Sequence, residues 1–240
     1  MSDELLPAGW PPQEEGPALQ QAPLFPLPNV FLFPGHVMPL QIVEPRYRTM
    51  IEDCLDGPGR IVLAAVNEGH HEELEGSPPV CHLAGLGEIA RHEKLADGRF
   101  LIWLVGLARV RIEETDSDKP YRQVNFEMIH EVQPNPEETE DTRERVVEAI
   151  LARTPQLEEL PENVPLSYLA DLLLQRMPLE QEAMEGAYGE FDAGRRADQA
   201  LALHELTPIP DPEEEDGEED EGVSGDDEAA AGGGYDPSLN

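Results

Sequence analysis

Basic residues are scarce in this chain of 240, where 16 Lys and Arg stand against 51 Asp and Glu and the formal charge is −35. Proteins that grip nucleic acid neutralise phosphates with a basic face, which so few cations can hardly assemble, so a nucleic-acid binder held by phosphate neutralisation is excluded. Cysteine is almost missing as well. Cys54 and Cys81 are too few for a disulfide framework, and both are expected as reduced thiols. The longest apolar run, Phe100 to Ala108, falls far short of the roughly 20 residues that cross a bilayer. The first 25 residues lack the basic start and unbroken apolar stretch of a secretory leader, which predicts a soluble, cytoplasmic protein.

Catalytic and metal-binding signatures are also missing. There is no G-x-x-x-x-G-K-[ST] phosphate loop, no H-E-x-x-H or C-x-x-C spacing, and no serine inside G-x-S-x-G. Gly85-Leu86-Gly87 supplies only G-x-G and reads as turn or strand glycine. His70-His71 with Glu72 and Glu73 reads as a polar loop, because adjacent side chains diverge and a structural metal site needs about four placed ligands. Cys81 stands at the entry of a strand. Cys54 lies on the apolar stripe of a helix, where burial raises a thiol pKa and makes it inert. No catalytic residue, metal ligand or cofactor is assigned.

The charge is unevenly spread. Residues 207–240 hold 13 acids and no bases, and residues 1–21 hold four acids, four prolines and no bases. Both segments read as disordered, a lead-in at 1–21 and an acidic tail at 207–240, because neither can bury enough apolar surface to offset the entropy of ordering. Between them, residues 22–134 are strand-rich, with short apolar or alternating runs punctuated by Pro and Gly. Phe100 to Val105, apolar at every position, predicts a central strand covered on both faces. A change of phase after Gly106 predicts a bulge or kink there. From Pro45, the spacing of Tyr47, Met50, Ile51, Cys54 and Leu55 predicts one amphipathic helix, with Arg48 and Glu52 four apart on its wet face. Pro34-Gly35 predicts a type II turn. Residues 139–206 carry helical periodicity. Strands first and helices after is an α+β order.

The segment LFPLPNVFLFPGHVMPLQIVEPRYRTMIEDCL, Leu24 to Leu55, resembles the opening of the Lon protease N-terminal, substrate-recognising domain. GLGEI at Gly85–Ile89 is similar to that family's G-x-G-x-I strand. Asp97-Gly98-Arg99-Phe100 with LVGLARVRI, Leu104 to Ile112, is similar to its D-G-R-Y and L-V-G-L-x-R-F-R-I hairpin, and Leu169-Ala170-Asp171 to its helical L-A-D. The resemblance runs from about Leu24 to Leu206 and implies a PUA-like β pseudo-barrel followed by a C-terminal helical bundle. It also implies a stand-alone form of that domain, since an acidic tail follows where full Lon proteases continue into ATPase and Ser-Lys peptidase modules.

The resemblance implies a non-catalytic module that binds unfolded or flexible polypeptide segments, as an adaptor to a protease or chaperone in trans. A small-molecule-binding or regulatory domain is the alternative, and RNA binding ranks third. Phe31, Phe33, Met38, Trp103 and Met128 are nominated for peptide contact. Pro34, Gly35, Glu44, Arg46, Tyr47, Arg48, Gly106 and Arg109 are read as architectural, with Glu44, Arg46 and Arg48 in an ion-pair cluster that pins the helix to the barrel and that Arg109 joins.

Overall fold

Alternation of small and branched apolar residues gives way to helical spacing near residue 134, and the tertiary structure divides along that change. The computed structural model describes residues 20–70, 76–157, 159–161 and 163–209. Most of the expected lead-in (1–19), most of the expected polar loop with His71, Glu72 and Glu73 (71–75), and most of the acidic segment (210–240) lie outside the described residues. The strands are β1 (Gln20–Pro28), β2 (Val37–Ile42), β3 (Arg60–Val66), β4 (Leu83–Lys94), β5 (Phe100–Thr115) and β6 (Gln123–Met128). Helix α1 (Pro45–Leu55) lies between β2 and β3; α2 (Glu140–Arg153), α3 (Leu166–Gln175), α4 (Gln181–Tyr188) and α5 (Ala193–Leu206) follow the sheet.

The sheet order is β2-β5-β4-β3-β1-β6, and β5 also pairs with β6. β5 is long enough to pair twice on one side. Its first half takes β2, Val37 opposite Val105, and its second half takes β6, Val110 opposite Met128. Five strands thus close into a barrel, while β2 remains as an edge. β1 and β3 run parallel, and α1 lies within the crossover that a parallel pair requires. β1 begins at Gln20, which pairs with Phe126, so two residues assigned to the lead-in belong to the sheet.

β3 shows how three cores share one sheet. Val62, Ala64 and Val66 point into the barrel with Leu24, Leu86 and Phe126. Ile61 and Leu63 face the other way, under Met50 and Ile51 of α1, and Ala65 packs under the helical bundle. A strand buried on both faces reads as a continuous apolar run, as RIVLAAV does. α1 runs as its stripe requires, burying Tyr47, Met50, Ile51 and Cys54. In the bundle, Val146 and Ile150 of α2, Leu169 and Leu173 of α3, and Ala197 and Ala200 of α5 meet. Arg153 ends α2 by donating to Thr207 O (2.6 Å) and His204 Nδ1 (2.7 Å), so it satisfies carbonyl oxygen just past α5. Among the described residues, no helix is long and apolar enough to cross a membrane.

Candidate functional site

Residues 30–36 leave β1 through Asn29, whose φ is 51°, and cross the barrel wall as a strap. Three glycines make room for it. A Cβ on Gly85 would meet Leu32 O at 2.4 Å, one on Gly87 would meet Leu32 Cδ2 at 2.7 Å, and one on Gly106 would meet Phe33 O at 2.0 Å. The G-x-G of β4 is therefore strand glycine: Gly85 admits the backbone of Leu32, and Gly87 admits the side chains of Leu32 and Leu104. Gly35 adopts φ 79° and His36 N–H donates to Phe33 O (3.2 Å), the turn predicted for Pro34-Gly35. The turn is tied to β5: Gly35 N–H donates to Gly106 O (2.8 Å) and Gly106 N–H to His36 O (2.9 Å). Gly87 pairs with Gly106 but Leu86 with Ala108, so Leu107 is the extra residue of a bulge.

The strap is covered by Tyr188 of α4. Its ring lies 5.3 Å from that of Phe31 and 5.0 Å from that of Phe33, and its hydroxyl donates to Leu32 O at 2.9 Å. The Arg109 guanidinium stands 4.8 Å from the Tyr188 ring and 5.3 Å from the Phe33 ring. Beyond the turn, the His36 ring stacks on Tyr168 of α3 at 4.2 Å and 12°. Burial lowers the His36 pKa to about 4, and its Nε2 is buried without a hydrogen-bond partner. Phe31 and Phe33 consequently belong to the contact between barrel and helices, at 9% and 1% exposure.

Arg109 does not join the residues at the start of α1. It lies past the bulge, in the half of β5 that the helices cover, and enters a buried cluster with Glu131, Asp171 and Arg196. Arg109 Nη2 donates to Asp171 Oδ1 (2.7 Å) and Nη1 to Glu131 Oε1. Arg196 Nη2 donates to Glu131 Oε1 (2.8 Å) and Nη1 to Glu190 O (2.6 Å). Its Nε lies 2.8 Å from Asp171 Oδ1 without hydrogen-bond alignment. Burial pushes the Asp171 carboxyl up, while both guanidiniums pull it down. Two cations and two anions balance, so the cluster presents no net charge to a ligand; it joins β5, α3, α5 and the linker after β6.

At the start of α1, Arg46 Nε pairs with Glu44 (2.9 Å), Arg46 Nη1 donates to Gly76 O (3.0 Å), and the guanidinium lies 4.6 Å over the Tyr47 ring. Arg48 donates instead to Asp97 O (3.5 Å), and Glu52 pairs with Lys94 (2.7 Å) rather than with Arg48. Tertiary partners thus replace the expected intrahelical pair. Beside them lies a cleft of about 270 Å³, lined in part by Arg46, Tyr47, Lys119, Tyr121 and Arg122. Its cations are matched: Lys119 by Asp53 (2.8 Å), Arg122 by Glu114 through Nε (2.9 Å), and Arg46 by Glu44. Tyr121 also donates to Asp53 (2.7 Å). Burial pushes both the Cys54 and Cys81 thiols up to about 12, with Glu185 adding to the effect at Cys81. Among the described residues, no group of three or more His, Cys, Asp or Glu could hold a metal ion.

The five nominated contact residues do not share one surface. Met38 packs toward the α1 core and Met128 toward the barrel interior, each half-buried. Trp103 stands on the outer face of β5, opposite Pro39 of β2 and Arg91 of β4. Leu101 and Trp103 are only half-buried, which corrects the expectation of a strand covered on both faces. Phe100, Ile102 and Leu104 pack into the α1 core, and the helical core does not reach the opposite face. Tyr188, Glu131 and Arg196 carry no mark in the sequence that sets them apart from surface residues. Asp171 carried a signal, a carboxylate inside the apolar α3 sequence LSYLADLLLQ.

A mixed barrel followed by a helical bundle, the two joined by a buried charge cluster, makes an α+β fold. The chain belongs to the ATP-dependent protease La (LON) substrate-binding domain family, which matches residues 21–203. Among solved structures, the N-terminal domain of the Mycobacterium avium complex Lon protease superposes with a TM-score of 0.59 at 17% identity, covering 78% of this chain and 98% of that one. A Lon N-terminal domain protein from Xanthomonas campestris gives 0.56 at 21% identity, covering 76% and 98%. Among curated sequences, a Lon protease of Flavobacterium johnsoniae is 28% identical over 167 residues, 68% of this chain and 20% of that protein. Lon protease 2 of Sorangium cellulosum is 30% identical over 131 residues, 52% of this chain and 16% of that protein. The chain spans a fifth or less of the curated relatives it matches.

Proposed function

We propose that this chain is a non-catalytic module that recognises polypeptide segments in the cytoplasm and presents them, as an adaptor, to a protease or chaperone supplied by another chain. One observation carries the reading: the LON substrate-binding domain family matches residues 21–203, the barrel and the helices together. The absence from the sequence of a phosphate loop or hydrolase motif agrees with it. Calorimetry with one protein in folded form and in a reduced, iodoacetamide-blocked unfolded form is the test. Binding of the unfolded form alone is expected. Equal failure to bind either form sinks the reading.

A further inference from the structure

The outer face of the ribbon formed by β2, β5 and β4 combines three properties. It is apolar at its centre, with Val37 and Pro39 exposed on β2 and Leu101 and Trp103 half-buried on β5, and it is bordered by exposed Gln41 and Glu93 opposite Leu101. It carries a cation: the Arg91 guanidinium stacks 4.7 Å over the Trp103 ring and makes no ion pair among the described residues. In a chain with 51 acids and 16 bases, a cation held on an aromatic ring without a carboxylate partner is a local departure from the acidic surroundings. Finally, its edge resists strand addition. Gly106 N–H donates to His36 O, so alternation turns the backbone of Met38, Leu40 and Ile42 toward β5 and that of Val37, Pro39 and Gln41 outward. Pro39 has no N–H to offer there.

We propose that this face is where the polypeptide docks, and that it takes a segment bearing an aromatic or large aliphatic side chain next to a single carboxylate. The apolar side chain covers Trp103 and Pro39, and the carboxylate pairs with Arg91, whose stacking on Trp103 already restricts its rotamers. The blocked edge makes the contact one of side chains rather than an added strand. The field of a chain at −35 disfavours acidic stretches, so the carboxylate is a lone one in an otherwise neutral or basic segment.

This inference rests on the polypeptide-binding reading and is tested so that the two can fail separately. Fluorescein-labelled decapeptides with a central Phe-Asp, Phe-Asn or Ser-Asp pair are titrated with the full chain, alongside the blocked unfolded protein. Roughly three- to tenfold tighter binding of Phe-Asp than of either counterpart is expected. Arg91→Gln, a surface change that spares the core, is expected to equalise Phe-Asp and Phe-Asn. Trp103→Ala, with its melting temperature checked, is expected to weaken both. Equal affinity of the three peptides for the unaltered chain overturns the proposal. So does undiminished binding of the unfolded protein by both variants, which leaves polypeptide recognition standing on another surface. If the unaltered chain binds neither peptides nor unfolded protein, both readings fall.

Discussion

The hydroxyl of Tyr188 donates a 2.9 Å hydrogen bond to the carbonyl of Leu32, linking α4 to the strap across 156 positions of chain. The same ring sits against Phe31 and Phe33, so one side chain seals both the polar and the apolar parts of the contact between barrel and helices. Tyr188→Phe strands the Leu32 carbonyl and is expected to cost about 1–2 kcal/mol. Tyr188→Ala also opens a cavity and is expected to cost about 3–5 kcal/mol. Urea unfolding followed by fluorescence measures both.

Removing one member of the buried cluster leaves a charge unmatched. Arg109→Met is expected to destabilise by about 3–5 kcal/mol, because Asp171 and Glu131 then share only Arg196. Arg109→Met combined with Asp171→Leu removes one charge of each sign, so its loss is expected to be smaller than the sum of the two single losses. Additive losses in the denaturation midpoints would show that the pair is not coupled.

Glycine positions divide by what surrounds them. Gly106→Ala would place a methyl carbon 2.0 Å from Phe33 O, with backbone rather than a flexible side chain in the way, and is expected to unseat the strap. Gly186, inside α4, has Gln199 Nε2 at 3.7 Å as its near neighbour, an ordinary contact. Gly186→Ala is therefore expected to stabilise by about 0.5–1 kcal/mol through helix propensity. Thermal melts of the two variants should move in opposite directions.

His36 makes stability depend on pH. The unfolded chain protonates this ring near the ordinary value of 6.5, whereas burial holds the folded ring to about 4. The unfolded state binds more protons between those values, so this contribution is complete above pH 6.5 and is lost as pH falls toward 4, about 3 kcal/mol in all. The lost contribution should be visible in urea midpoints between pH 7 and 5. His36→Gln should flatten that slope; an unchanged slope in the variant would assign the dependence to other groups.

Both thiols are expected to be unreactive in the native state. With each pKa near 12, alkylation by iodoacetamide at pH 8 should run on the order of a thousandfold slower than for a free cysteine. Full reactivity should return in denaturant. Rapid native labelling followed by peptide mapping would identify any thiol that this account misplaces.

Much of the frame was legible because it is written in local chemistry. The stripe of Tyr47, Met50, Ile51 and Cys54 specifies α1, and Pro45 and Gly57-Pro58-Gly59 bound it, without reference to any other segment. The helical spacing after residue 139 and the change of phase at Gly106 are local in the same sense, and the motifs of the strap and β5 carried the family. Asp171 was legible only through the Leu169-Ala170-Asp171 motif, and its pairing with Arg109 and Arg196 carried no local mark at all.

Arg109, Glu131, Asp171 and Arg196 come from β5, the linker after β6, α3 and α5, and they meet only when those elements pack together, two residues past the bulge at Leu107. Phe31 and Phe33 look like candidates for contact until α4 brings Tyr188 onto them, and Trp103 looks buried until the helices are seen to cover other ground. The sequence by itself determined periodicity, charge and turn chemistry, because those act between neighbours along the chain. Tertiary structure alone decided which apolar side chains are core and which are surface, because burial is a property of what arrives from far away in the chain.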